Sequence, residues 1–343
     1  MNSKAKSITL EGIAKLAGVS TASVSRALNN SDLIKDETKK RIIEIANKQH
    51  YALNYGAQSL SRQKSNTMAL FILTSSARAE SIAPVIKEPF FLKVLSGLMS
   101  QISILNCELV INRFESGKHD KVYQAIRSKK VDGVIVYGDT AQNWKNDRAL
   151  IGRIPVVFWG GEAGDNFYTV ATNDFLGGEL AAQKLLSSGV TNFAFIGANT
   201  ESFESQQRLS GFRSYLSKHN ISLNEDSVSF AQCFSSSGAD QMTNILLKDN
   251  SINGVFACCD ELALTAMKVI QSHGLNIPEQ VKVIGYDNIA SGATSTPTLT
   301  TISRDGYDAG RMLVNKLLGV IGSKDEHVED RPLTITLIER GSC

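Results

Sequence analysis

The 343-residue chain has no run approaching ~18 uninterrupted apolar residues, which argues against a membrane-spanning helix. Its opening, MNSKAKSITLEG, lacks the apolar core of a secretory leader, so the cytoplasm is the expected compartment. Cysteine is scarce: Cys107, Cys233, Cys258, Cys259 and Cys343 are odd in number and show no CxxC spacing. That disfavours a disulfide framework or a zinc site, and thiols in or beside apolar runs act as small hydrophobes. Five scattered histidines add nothing to a metal case, so neither metal nor cofactor is expected. There is also no GxSxG elbow, Walker loop, strand-borne GxGxxG or HExxH, and nothing pairs a nucleophile with a base. An enzyme is not expected.

What is present is an uneven charge. Residues 1–66 hold eleven Lys or Arg against five acids, a net of +6, and the remainder holds 25 against 29, a net of −4. A small basic head on a mildly acidic body is the footprint of a nucleic-acid-binding module joined to a second function. The length predicts about two or three domains of ~100–150 residues each.

The head carries helical periodicity. Thr9 can cap a helix whose inner face is Leu10, Ile13, Ala14 and Ala17, and Gly18 supplies the left-handed residue that ends it. Ser20 can cap a second helix with Val24, Ala27 and Leu28 at i, i+3 and i+4. A third runs from about Asp36, the expected cap, and buries Ile42, Ile45 and Ala46. Three short helices with a glycine turn between the first two predict a helix-turn-helix. On the outer face of the second, Thr21, Ala22, Ser25, Arg26 and Asn29 form one stripe. A stripe bound for water would carry several long charged residues. This one is small and hydrogen-bonding, so it can approach a groove closely, and Arg26 offers a fork for a guanine edge. Ser20, Ser23, Ser25 and Asn29 can reach phosphates.

TLEGIAKLAGVSTASVSRALNN resembles the N-terminal signature of the LacI family of bacterial transcription regulators, and similarity extends over nearly the whole chain. The resemblance implies that Thr21, Ala22 and Arg26 read bases while Thr9, Ser20, Ser23, Ser25 and Asn29 contact phosphates. YALNYGAQSLSRQKSN (51–66) is similar to the family's hinge, which becomes helical on the operator. Leu60 then holds the position of the minor-groove wedge that kinks the duplex.

From Met68 onward short apolar runs alternate with amphipathic stretches. Strands are predicted at 68–74, 107–112, 133–137, 154–159, 193–197, 254–258, 281–285 and 333–339. Such runs separated by helices predict an α/β fold of two sequential lobes, each a parallel sheet covered on both faces. A binding crevice is expected at the carboxyl ends of the strands. The resemblance refines this to a periplasmic-binding-protein-like core. Its implied boundaries are a head at 1–51, a hinge at 52–66 and a core at 67–343. Lobe 1 then takes about 67–166 and 299–326, and lobe 2 about 167–298 and 327–343.

Three further segments carry the family's pocket positions. EPFFLKVLSGL (88–98) resembles its pocket-lining segment, where Phe90 and Phe91 would stack on a ring. QQRLSGF (206–212) supplies Arg208, and VIGYDNI (283–289) supplies Asp287 as an acceptor for sugar hydroxyls. Phe234 fits the pocket floor. The pattern departs at Gly160, where many relatives carry an acid, and at Cys259, where asparagine is common. A modified or larger sugar is the expected effector.

The function expected is a sugar-responsive DNA-binding regulator, in the first place a repressor, working on a palindromic operator. An activator and a plain solute-binding protein are the alternatives. No heptad tail follows the last predicted strand, so a homodimer is expected rather than a tetramer.

Overall fold

The computed structural model describes residues 8–29, 31–51, 64–74, 87–115, 118–138, 144, 154–161, 168–198, 200, 202–231, 237–322 and 332–343. Contacts divide the chain into two compact units, Met1–Ser65 and Asn66–Cys343.

The first unit contains α1 (Leu10–Ala17), α2 (Thr21–Leu28) and α3 (Asp36–Lys48). Thr9 caps α1 by accepting from the Gly12 amide, and Ser20 caps α2 by accepting from the Ser23 amide. Gly18 takes the left-handed conformation, φ 62° and ψ 35°, that the tight turn between them requires. The third helix departs from expectation at its start. Lys35 occupies the cap position with no side-chain bond, and Asp36 is the first helical residue, where its charge still suits the helix dipole. Ile13, Ala14, Ala17, Val24, Ala27, Ile42 and Ala46 form the core, with Ile45 only partly buried at its edge. Arg41 braces the turn by donating to the Ala17 carbonyl at 3.0 Å.

The second unit is built on two sheets. In the first, β1 (Thr67–Thr74), β2 (Glu108–Glu115), β3 (Gly133–Tyr137), β4 (Val156–Trp159) and β5 (Tyr168–Val170) lie in the order β2-β1-β3-β4-β5. All four pairings are parallel. Residues of β1 alternate between two cores. Met68, Leu70 and Ile72 face one layer containing α4 (Pro89–Ile104), while Ala69 and Phe71 face the other with α5 (Asp120–Arg127). The second sheet contains β6 (Phe193–Gly197), β7 (Val228–Phe230), β8 (Gly254–Ala257), β9 (Lys282–Tyr286), β10 (Thr300–Arg304) and β11 (Ile335–Ile338). Its order is β11-β10-β9-β8-β6-β7, with only β11 antiparallel to its neighbour. Around it lie α6 (Asp174–Ser187), α7 (Phe203–Lys218), α8 (Ser237–Lys248), α9 (Asp260–Ser272) and the short α10 (Ala290–Thr294).

The lobe boundaries differ from those implied by resemblance. β5, at 168–170, belongs to the first sheet, beyond the expected end of lobe 1. Residues 299–304 do not rejoin the first lobe: β10 pairs with β9 in the second sheet, and the chain recrosses at Asp305. The crossing was obscured because β10 reads TTISR, with buried Thr300, Thr301 and Arg304 in place of an apolar run. Their polar groups are met by Ser342, Asp260 and Asp287. After the crossing, α11 (Gly306–Gly322) packs against α4 and adds Leu313, Val314 and Leu317 to the first lobe's core.

Each lobe contains one pair of helices crossing at glycines. Gly178 of α6 meets the Arg208 carbonyl of α7, and Gly211 of α7 meets the Phe175 carbonyl of α6. Gly97 of α4 and Gly310 of α11 make the same reciprocal contact. A methyl at any of the four would overlap backbone, which cannot rotate aside. We therefore expect Gly211→Ala to destabilise the second unit by the upper part of the ~1–3 kcal/mol typical of overpacking, or more. Denaturant melts of the purified variant check this; a midpoint equal to the parent's would refute the close crossing.

Candidate functional site

Two separate surfaces hold the residues singled out above. On the first unit, Thr21, Ala22 and Arg26 are exposed on α2, while Val24 and Ala27 on its opposite face are buried. Ser25 and Asn29 are half-buried along the same stripe, with the Asn29 amide donating to Ser25 Oγ at 3.4 Å, and Ser23 is half-buried beside it. The Ser20 hydroxyl accepts from the Ser23 amide at 3.1 Å and lies 3.0 Å from Ser23 Oγ. Thr9 Oγ1 likewise accepts from the Gly12 amide at 3.2 Å. A capping hydroxyl uses a lone pair and keeps its own proton, so the same atom can cap a helix and still donate to a phosphate. Leu60 lies outside the described residues.

On the second unit, the carboxyl ends of the two sheets come together. From the first lobe come Phe90, at the start of α4, and Trp159, at the end of β4; their centroids are 5.4 Å apart. From the second come Arg208 on α7, Tyr286 at the end of β9 with Asp287 following it, and Arg304 at the end of β10. Arg208 is buried and paired with Asp174 through Nε at 2.8 Å and Nη2 at 2.7 Å; its Nη1 donates to the Cys258 carbonyl. Its Cζ rests 3.7 Å from the centroid of Tyr286. Arg304 donates from Nε to Asp287 Oδ1 at 2.7 Å, and its Cζ lies 3.6 Å above the Phe90 centroid. Lys93 of the first lobe donates to the Asn288 carbonyl of the second at 2.7 Å. Among the described residues, the two lobes are joined by a cation on aromatic faces and by a charged hydrogen bond.

Two carboxyls are held well above their ordinary range. Burial raises Glu88, before α4, to about 7, helped by the Asp287 and Glu204 carboxylates and opposed by Arg304 and Arg208. Burial also raises Asp260 to about 7, with Asp287 adding to it. Asp260 is structural: Oδ1 accepts from the Thr301 hydroxyl at 2.6 Å and Oδ2 from the Ile289 amide at 2.8 Å. It ties β10 to the segment after β9.

The structure alters several expected roles. Phe90 and Phe91 are both 0% exposed. Phe91 packs edge-on to Tyr137, with centroids 4.8 Å apart, and belongs to the first lobe's core. The Phe90 face offered to a ring is taken by Arg304. Arg208 and Asp287 do sit together where the sheets meet, but each is already engaged, with Asp174 and Arg304 respectively. Phe234 lies outside the described residues. Asp174, Glu88, Glu204 and Arg304 were missed by the sequence reading. Only Arg304 left a signal, an arginine ending a β-prone run where the chain was expected to cross between lobes. Gly160 adopts φ 78°, and a Cβ there would lie 2.5 Å from Glu204 Oε1. Glu204 of the second lobe therefore places a carboxylate beside Gly160 of the first.

Among the described residues no cluster of His, Cys, Asp or Glu could hold a metal ion, and no helix is long and apolar enough to cross a membrane.

A helix-turn-helix head and a two-lobed α/β body define a DNA-binding regulator with the core of a ligand-binding protein. Comparison with known proteins gives the same two parts. Residues 9–54 match the model described as bacterial regulatory proteins, lacI family, and residues 182–343 match a periplasmic binding protein-like domain. The probable HTH-type transcriptional repressor ExuR of Bacillus subtilis (strain 168) is 32% identical over 330 residues, 94% of each chain. The ribose operon repressor of Haemophilus influenzae is 27% identical over 340 residues, 97% of this chain and 98% of its own. The lac repressor dimer bound to operator and the anti-inducer ONPF superposes with a TM-score of 0.83 at 22% identity, covering 98% of this chain and 99% of that one. The CelR–cellobiose complex gives 0.72 at 24% identity, with the same coverage. The chain belongs to the lacI family of bacterial regulatory proteins. It is a DNA-binding transcription regulator and not an enzyme.

The raised carboxyls fix the sign of a pH dependence. Between about pH 4 and 7 the native state holds protons on Glu88 and Asp260 that the unfolded chain has released. Their contribution to stability is full below that window and is lost as pH rises through about 7. Thermal melts at stepped pH should show a shallower loss of Tm between about pH 4.5 and 7 in Glu88→Gln than in the parent. Identical slopes would mean that Glu88 titrates normally.

Proposed function

We propose that this regulator is a repressor working as a homodimer on a palindromic operator, released or engaged by a sugar that binds between the lobes of the body. The observation that carries the DNA half is the exposed stripe Thr21, Ala22, Arg26 on a helix whose other face is core. In this reading Thr21, Ala22 and Arg26 meet base edges in the major groove. Thr9, Ser20, Ser23, Ser25 and Asn29 meet phosphates and set the register. Leu60 would wedge into the minor groove and kink the duplex. Two-fold symmetry of the protein would be matched by two half-sites about one helical turn apart. Such work places the protein in the cytoplasm.

The sugar half is supported by the meeting of both sheets at their carboxyl ends, where Arg208 and Asp287 of one lobe lie near Phe90 and Trp159 of the other. Two relatives point the same way: one is named a ribose operon repressor, and the structure of CelR is a complex with cellobiose. A ligand between the lobes would shift the balance of lobe arrangements and hence of paired hinges.

A bidentate arginine–guanine contact contributes about 1–3 kcal/mol of discrimination. Arg26→Ala should therefore lower the preference for the operator over random duplex by roughly tenfold or more. Competition titrations measure that ratio; an unchanged ratio would remove α2's outer face from base recognition.

A further inference from the structure

The neighbours of Arg304 leave one of its donors idle. Its guanidinium is 6% exposed, lies flat on Phe90, and is held by Asp287 through Nε alone. Its Nη1 is buried with no hydrogen-bond partner among the described residues. Tyr286, whose centroid is 5.5 Å from Arg304 Cζ and 3.7 Å from Arg208 Cζ, also carries a buried hydroxyl without a partner. A desolvated guanidinium with an unused donor is costly to leave so, and its planar fork suits a planar acceptor pair.

We infer that a sugar acid binds where the two lobes meet, and that Arg304 is the residue that selects its carboxylate. This rests on the effector reading above and names the ligand class within it. A neutral sugar that used Asp287 for its hydroxyls and Phe90 for its ring would have to displace Arg304 from both. A carboxylate has no such conflict: it meets the idle N–H while Asp287 and Phe90 keep holding the guanidinium.

Charge balance narrows the class further. Asp174 and Asp287 already neutralise Arg208 and Arg304, and Glu88 and Glu204 face the same space. An entering anion therefore needs a compensating proton. Glu88, raised to about 7 mainly by burial, can take one near neutral pH and then donates rather than repels. One proton balances one carboxylate. A sugar phosphate, with a second ionisation near pH 6, would bring up to two charges beside Asp287 and fits less well.

The test is calorimetric titration of the full-length protein with D-galacturonate and D-glucuronate against D-galactose, D-glucose, D-glucosamine and galactose 6-phosphate. We expect one uronate to bind at least about tenfold tighter than every other sugar in the set, the margin of a charged hydrogen bond. Titrations in buffers of different ionisation heat should show proton uptake with that uronate, lost in Glu88→Gln. Arg304→Gln should remove the uronate's advantage; if that variant fails to fold, the parent's selectivity and proton uptake decide alone. Tighter binding of a neutral sugar, the amino sugar or the phosphate overturns the assignment while leaving a sugar effector in place. No binding of any sugar, together with no effect of any on operator affinity, overturns the effector reading and this inference with it.

Discussion

The arrangement of the body turns on one desolvated charge. Arg304 leaves the end of β10 in the second sheet and comes to rest on an aromatic face of the first lobe, tethered by Asp287. Removing one partner from a buried ion pair typically costs about 3–5 kcal/mol, because the other charge is left without compensation. Arg304 and Asp287 are therefore committed to each other wherever water is excluded. That commitment fixes what each neighbour can still do. Phe90 has its face covered, Asp287 has an oxygen engaged, and the chain at Gly306 must pass close by, where an added Cβ would lie 2.8 Å from Lys93 Cβ. The meeting of the two lobes is shaped by what this pair has already claimed.

The head obeys a different constraint. Its core is made of seven small or medium residues, and a unit with so little apolar mass cannot tolerate a misplaced turn. Gly18 supplies the left-handed residue, Ser20 caps the next helix, and Arg41 ties α3 to the end of α1. Each of these satisfies backbone groups that a short helix would otherwise leave to water. The outcome is a helix whose exposed side can be small and flat, because none of its outward residues is needed for the fold. Thr21 and Ala22 are exposed for that reason.

How much of this was legible depends on how each residue earns its place. The strands at 133–137 and 193–197 were read to the residue, since a fully buried parallel strand between glycine and turn signals has few other readings. The caps at Thr9 and Ser20 were equally plain, because a hydroxyl before an amphipathic run has a local mechanism. β5 and β7 were not found; at three residues each they carry too little pattern. β10 was assigned to the wrong lobe because its buried residues are polar and are satisfied by groups 17 to 42 positions away. Phe90 and Phe91 stand out in the sequence, and the structure shows both buried, with Arg304 over Phe90. Two adjacent rings on a helix start signal burial, and the sequence does not say whether a ligand or an arginine from 214 residues further on fills the space above them.

Gly160 shows the same limit from the other side. An acid missing from one position looks like a lost contact when residues are compared along the chain. In space the loss is the opening that admits Glu204, whose carboxylate comes from α7 on the facing lobe. A binding site conserves charge and volume, and either can be delivered by any element that points into it. The segments that meet here, around 88–90, 159–160, 204–208 and 286–304, are each unremarkable alone. Their chemistry exists only where two sheets end against each other, so specificity in this fold can change by moving a charge from one wall to the other while the scaffold that holds both remains the same.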